Sequence, residues 1–327
     1  MTFPRLASSL LIATAALAGC GALVDGRADR REAAAEAAFP PIGQFVDVDG
    51  QRVHYVVQGR GPDLVLIHGA SGNLRDFTFQ FIDRVKGDYR VWAFDRPGMG
   101  YSDRATPGFV GPALTTAESP AQQAAMLHAA ATQLGVTRPI VLGHSFGGAV
   151  ALAWALNHDP GALVTVSAVS NPWPGGLGPF YTVPGSAFGG AALVPLITAF
   201  VPESAVKNAI DSTFRPQQPP AGYNDYIGAP LTLRRASFRA NARQVNTVRP
   251  HILEMVQRYP NLTLPVEIVH GTADQTVPLR VHSEPLSLQI PGANLVTLDG
   301  VGHMPHHVAP GAVIAAIDRA AQRAGLR

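Results

Sequence analysis

Apolar and polar positions follow two rhythms along most of this chain. From Phe45 onward, short aliphatic runs of strand length take turns with stretches of helical character. Asp63-Leu64-Val65-Leu66-Ile67, Pro139-Ile140-Val141-Leu142, Pro265-Val266-Glu267-Ile268-Val269-His270 and Ala293-Asn294-Leu295-Val296-Thr297-Leu298 predict strands, each running into a loop. Ala149-Val150-Ala151-Leu152-Ala153-Trp154-Ala155-Leu156 predicts a helix. Such alternation predicts an α/β fold, a mostly parallel sheet with helices on both faces. Ahead of it, Phe45-Val46-Asp47-Val48 and Arg52-Val53-His54-Tyr55-Val56-Val57, joined by Asp49-Gly50, predict an antiparallel hairpin.

The alternation fails between about residues 172 and 260. That region holds Pro-Gly breaks, an apolar run over 191–201 and the basic segment Leu233-Arg234-Arg235-Ala236-Ser237-Phe238-Arg239. An insertion here, after the sixth strand, predicts a helical lid (172–260) between two parts of one core (44–171 and 261–327). Trp173, Phe180, Tyr181, Phe188 and Phe200 suit the lining of an apolar pocket, or simply the packing of lid on core. Trp173 and Phe180, with Ser71, are the candidate substrate contacts. The basic segment reads as the solvent face of a lid helix, with reception of an acidic substrate as the alternative.

The first 43 residues have a different character. Residues 1–19 carry one positive charge, Arg5, then an apolar and small-residue run, which predicts a secretory signal peptide. Leu17-Ala18-Gly19-Cys20 resembles the lipobox of bacterial lipoproteins, with Cys20 as the lipidation site; an ordinary signal peptide or a short anchor is the alternative. Residues 20–43 then read as a lipidated tether, with a loose helix over 27–38. The expectation is an exported bacterial lipoprotein, held at the membrane on its periplasmic or outer face by several acyl chains.

Composition narrows the remaining classes. The formal net charge is +2, spread along the chain with no basic tract, so nucleic acid is not an expected partner. Cys20 is the only cysteine, so no internal disulfide can form. With 46% hydrophobic residues in 327, burial alone can hold the core. Nothing in the sequence speaks to oligomeric state.

The chemistry centres on Gly143-His144-Ser145-Phe146-Gly147, set between a predicted strand and a predicted helix. Glycine fills 33 of 327 positions, so the flanking pair alone carries little weight; the strand-to-helix setting supplies the rest. A serine hydroxyl needs a base, and the base an orienting acid. Asp274 follows one predicted strand and His303 another, and loops after parallel strands open on the same sheet edge. Asp299, four residues before His303, is the rival acid and reads as a turn residue. The Gly-rich turn His68-Gly69-Ala70-Ser71-Gly72 would point a backbone N–H, from Ala70 with Ser71 close behind, at an oxyanion. Phe146 would supply the second donor. His68 reads as a brace for that loop. His303, His306 and His307 lie close together, but no acid or cysteine cluster accompanies them in sequence. Neither a metal nor any other cofactor is expected.

His68-Gly69, Asp95-Arg96-Pro97-Gly98-Met99-Gly100-Tyr101-Ser102, Gly143 to Gly147, and Gly271 to Asp274 with Gly302-His303 together resemble the α/β-hydrolase superfamily, over roughly residues 44–325. The resemblance implies an eight-stranded sheet and a serine hydrolase cleaving a carboxylic ester or related small acyl compound through an acyl-enzyme. It marks Asp95-Arg96-Pro97-Gly98 as structural. Lactonases, perhydrolases and carbon–carbon bond hydrolases share the same three residues, and a catalytically silent ligand-binding protein is the reading from another class.

Overall fold

The computed structural model describes the backbone from Phe3 and the side chains from Gly21 onward. Cys20 and the signal-peptide reading of residues 1–19 lie outside the residues so described.

Eight strands form one sheet: β1 (Gln44–Val48), β2 (Gln51–Gln58), β3 (Asp63–Ile67), β4 (Arg90–Phe94), β5 (Ile140–His144), β6 (Ala162–Val166), β7 (Val266–Gly271) and β8 (Asn294–Leu298). Their spatial order is β1-β2-β4-β3-β5-β6-β7-β8. β2 runs antiparallel to β1 and β4, and the rest are parallel. The first hairpin turns at Asp49 (φ 52°) and Gly50 (φ 82°), the paired positive φ that a two-residue turn matching strand twist requires.

Strand side chains alternate between faces with period two, and the core divides accordingly. Val65, Ile67 and Val141 face the helices Pro120–Gln133 and Phe146–Asn157. Leu64, Leu66, Ile140 and Leu142 face the helix Pro310–Arg323 and Phe77 and Phe81. Central strands are thus buried on both faces, which is why they read as unbroken apolar runs.

Between β6 and β7 the chain leaves the sheet and forms a series of helices. They include Pro179–Gly185, Val194–Phe200, Glu203–Phe214 and the long Arg235–Val256. Two expectations change here. Residues 20–43 are not a loose tether: one helix spans Phe3–Ala38, and its described part is docked on this insertion, with Ala28 and Ala35 buried. The basic segment is not a solvent face. The Arg235 guanidinium reaches Asp25 (2.9 Å), Asp29 and Glu32 (2.9 Å), and Arg234 pairs with Glu36 (2.8 Å). Arg27 and Arg31 donate in return to the carbonyls of Ala199 and Val201. The cause is legible afterwards. Asp25, Asp29, Glu32 and Glu36 recur at intervals of four, three and four, which makes one acidic stripe along a helix.

Candidate active site

β5 ends at His144, and the helix Phe146–Asn157 begins two residues later, so Ser145 carries the whole change of direction. It sits at φ 53°, ψ −120°, a region that costs a residue with a side chain roughly 1–3 kcal/mol. The glycines around it are steric requirements. A Cβ on Gly143 would lie 2.2 Å from the Gly147 carbonyl oxygen, and one on Gly147 would lie 2.2 Å from that of Ile67. At Gly69 a Cβ would stand 3.1 Å from the Cβ of Ser145, so the turn after β3 abuts the serine directly. Ser145 itself is 7% exposed.

Asp274 follows β7, and His303 follows β8. His303 Nδ1 donates to Asp274 Oδ2 at 2.7 Å, and both side chains are buried. With Nδ1 protonated, the lone pair of neutral His303 resides on Nε2. The other carboxylate oxygen accepts the N–H groups of Thr276 (2.8 Å) and Val277 (2.9 Å). His270 Nε2, which donates to the Val277 carbonyl, also stands 3.2 Å from Oδ2. Burial opposes the charge on Asp274, but the hydrogen bonds from His270 and His303 outweigh it and hold the carboxyl far below its usual range. Among the described residues, Asp299 is exposed and bonds only Thr272 Oγ1, as a turn residue would. His144 Nε2 donates to the His303 carbonyl at 2.9 Å, tying the serine turn to the histidine loop.

The structure also separates the two oxyanion candidates after β3. The Ser71 N–H is taken by Asn241 Oδ1 at 2.7 Å, and Asn241 Nδ2 returns a bond to Ser71 Oγ at 2.9 Å. Neither Ala70 N–H nor Phe146 N–H has an acceptor among the described residues. Ser71 is therefore a hinge point between the turn and the long helix Arg235–Val256. Asn241 was invisible in the sequence, being a lone amide 170 residues away.

His68 and Arg96 brace the loop. The Arg96 N–H donates to His68 Nε2 at 3.0 Å, which places the ring proton on Nδ1, bonded to the Gly69 carbonyl. Burial, with Arg96 next to it, lowers the His68 pKa to about 4 and keeps the ring neutral. The Arg96 side chain, fully buried, donates to the carbonyls of His68 and Gly69, and its guanidinium lies 4.6 Å from the centre of the Phe146 ring. One buried cation thus fixes both backbone segments beside Ser145. Asp95 next to it takes His54 Nδ1 and the N–H groups of Leu74 and Tyr101.

The aromatic candidates scatter. Trp173 is half-buried and packs beside His282. Phe180 points outward, 54% exposed, while its neighbour Tyr181 packs inward. Burial raises the Tyr181 phenol, with the Ser71 hydroxyl and Arg96 opposing. Phe188 is exposed, and Phe200 lies under the Arg27 guanidinium. Phe180, Phe188 and Phe200 therefore do not line a closed apolar pocket, because the inward positions on this bent helix pair fall to other residues.

The three histidines part company. His303 goes to Asp274, whereas Asp76 accepts from His306 Nε2 (3.1 Å), His307 Nε2 (2.7 Å) and the Tyr223 hydroxyl (2.8 Å). The sequence argument that no acid accompanies these histidines fails, since Asp76 arrives from 230 residues away. Metal-ligating atoms do gather here, within 4.8 Å of one another. A carboxylate only accepts, so both Nε2 atoms carry protons in this arrangement and offer no lone pair.

Residues 64–317 match the alpha/beta hydrolase family, and the chain belongs to it. An uncharacterized protein of Mycobacterium tuberculosis (strain ATCC 25618 / H37Rv) is 27% identical over 291 residues, covering 86% of this chain and 81% of that protein. A pimeloyl-[acyl-carrier protein] methyl ester esterase of Vibrio atlanticus is 34% identical over 120 residues, covering 37% of this chain and 41% of the esterase. Among solved structures, an alpha/beta hydrolase fold protein from Burkholderia ambifaria superposes with a TM-score of 0.65 at 25% identity, covering 84% of this chain and 96% of that one. The chain is a hydrolase of this family.

Proposed function

We propose that the protein is a serine hydrolase that cleaves a carboxylic ester, or a similarly compact acyl compound, through an acyl-enzyme. The observation that carries this is the buried 2.7 Å bond between Asp274 and His303 Nδ1, on loops that follow adjacent strands of the sheet that also ends in the Ser145 turn. Ser145 Oγ attacks the carbonyl carbon while His303 Nε2 takes its proton. Asp274 holds the tautomer and stabilises the imidazolium that forms. The Ala70 and Phe146 N–H groups, which have no acceptor among the described residues, receive the oxyanion. His303 then protonates the leaving oxygen, and water repeats the sequence on the acyl-enzyme.

In this reading the helical insertion is the lid. Its Asn241 and Thr232 bond Ser71 on the turn beside the serine, which supports a roof seated close over the site. Tyr181, packed inward beside Ser71, supports a roofed site that favours compact, neutral acyl groups. The protein would be exported and lipidated at Cys20, and the docked helix that follows would bring the anchor against the lid rather than onto a free tether. An activity-based fluorophosphonate probe tests the central step. Labelling that is lost in Ser145→Ala and slowed in Asp274→Asn supports it; a protein that is inert to the probe, or labelled equally after Ser145→Ala, is not a serine hydrolase.

A further inference from the structure

A second cleft in the described part of the molecule lies away from the serine. About 690 Å³ in volume, it lies between the N-terminal helix, the segment after β4 and the first half of the helix Arg235–Val256, and none of Ser145, Asp274 or His303 lines it. Arg52, Arg104, Arg234, Arg239 and Arg243 face it, against Glu32, Glu36 and Asp103. The three acids are already matched: Glu32 to Arg235, Glu36 to Arg234 and Asp103 to Arg52. Arg104 is matched by Glu118, behind the wall. That leaves Arg239 and Arg243, which bond only backbone carbonyls among the described residues: Arg239 that of Gly190, and Arg243 those of Gly111 and Pro112.

Arg243 is 1% exposed, and its Nε–H is buried with no acceptor among the described residues. A buried guanidinium with an idle donor is costly to maintain, and the nearby Glu118, whose charge favours that of Arg243, is bonded to Arg104 instead. Arg239 and Arg243 are four residues apart and share one face of the helix, whereas Asn241 between them turns to the opposite side and holds Ser71. At the mouth of the cleft, Phe109 and Val110 add apolar surface, with Val110 63% exposed.

We infer that this cleft is a second binding site, for an oxyanion-bearing amphiphile: a carboxylate or phosphate head on Arg239 and Arg243, with a short apolar tail on Phe109 and Val110. A planar guanidinium pair suits either head group, since both offer two oxygens to a fork of N–H donors. The neutral acyl substrate proposed for the serine would not compete for it.

Calorimetric titration of the Ser145→Ala protein, which holds ligand without turnover, tests the site with hexanoate, hexyl phosphate, inorganic phosphate and hexanol at low salt. Hexanoate and hexyl phosphate should bind saturably, at least tenfold tighter than the other two. Val110→Glu puts an acid at an exposed rim position without disturbing the interior, and it should weaken both at least tenfold. Arg239→Gln should do the same. Circular dichroism checks that each variant is folded, and the rim variant decides if the arginine variant is not. Absence of saturable binding, or binding that neither Val110→Glu nor Arg239→Gln weakens, would overturn the site. Inorganic phosphate binding as tightly as hexyl phosphate would remove the tail from the proposal. Because the serine is absent from the tested protein, none of these outcomes depends on the esterase reading.

Discussion

Around Ser145 the protein is joined by buried hydrogen bonds. Around the helical insertion it is joined by arginines that reach partly exposed acids. His68, Arg96, His144, Asp274 and His303 are all buried and bonded to one another or to backbone. Asp25 and Asp29, by contrast, are largely exposed where they meet Arg235. Water is excluded from the first set, so each bond there is electrostatically stronger and each loss leaves a buried group unpaired. The second set is screened, with each pair worth about 0–1 kcal/mol. Ser145, Asp274 and His303 thus sit in a set of buried bonds, while the N-terminal helix is held on the insertion partly by ion pairs that salt can loosen.

The sharpest test of this contrast is at its centre. Ser145→Ala should leave a folded protein with kcat lowered roughly 10⁵- to 10⁶-fold, since the other groups act through the serine. Ester turnover within a hundredfold of wild type would break the assignment. Asp274→Asn should cost about 10⁴-fold, because an amide at that place favours the wrong tautomer of His303. Asp299→Asn, on the exposed turn, should stay within about threefold. Steady-state kinetics of the pair separates them, and equal losses would mean that the wrong carboxylate orients the base.

Buried histidines predict how the first set responds to acid. Burial lowers His68, His282 and His306 to about 4, and the ordinary value is 6.5. A depressed folded pKa means that the unfolded chain binds the proton first. The stabilisation is therefore fully present above about pH 6.5 and is lost as pH falls towards about 4. For the fully buried His68 the loss is on the order of 3 kcal/mol. Urea unfolding followed from pH 8 to 4 should show stability falling across that window, and a flat profile would contradict the neutral, braced state of these rings.

Asn241→Ala frees the Ser71 N–H from the insertion and should lower kcat/KM about tenfold, or roughly 1.4 kcal/mol, and lower stability by about 1–3 kcal/mol. Kinetics with a short p-nitrophenyl ester would show it. An unaltered kcat/KM would mean that the turn holds its shape without the insertion. The smallest effect belongs to Arg235→Gln, which should weaken docking of residues 21–38 by about 1 kcal/mol and leave kcat within twofold. Hydrogen exchange in that helix should rise in the variant, and in the wild type on going to 1 M salt. Exchange that responds to neither would place the docking energy in Ala28, Ala35 and their apolar neighbours instead.

Much of the site was readable because its demands are local. A serine between a strand and a helix needs glycines on both sides, and the collisions at Gly143 and Gly147 are the reason. Loops after parallel strands open on one edge, which is why strand order alone suggests Asp274 and His303 as partners for Ser145; the structure shows the Asp274–His303 bond. The acidic stripe at 25, 29, 32 and 36 was equally present in the sequence. Apolar periodicity does not reveal it, because this helix docks through charge as well as through two alanines. The outward turn of Phe180 and the inward turn of Tyr181 had no signal at all, since neighbouring residues on a helix are separated by about 100° and only packing chooses between them.

What the sequence by itself determined is therefore the sheet, the serine turn and the order of the residues proposed to react, all set by periodicity and by backbone sterics over a few positions. Tertiary structure alone decided the partners: Asp76 for His306 and His307, Asn241 for Ser71, Arg96 for His68 and Gly69, and Arg235 for the N-terminal acids. A hydrogen bond or an ion pair is fixed by a distance of about 3 Å in space. Chain separations of 27 to 231 residues say nothing about that distance until the fold has closed it.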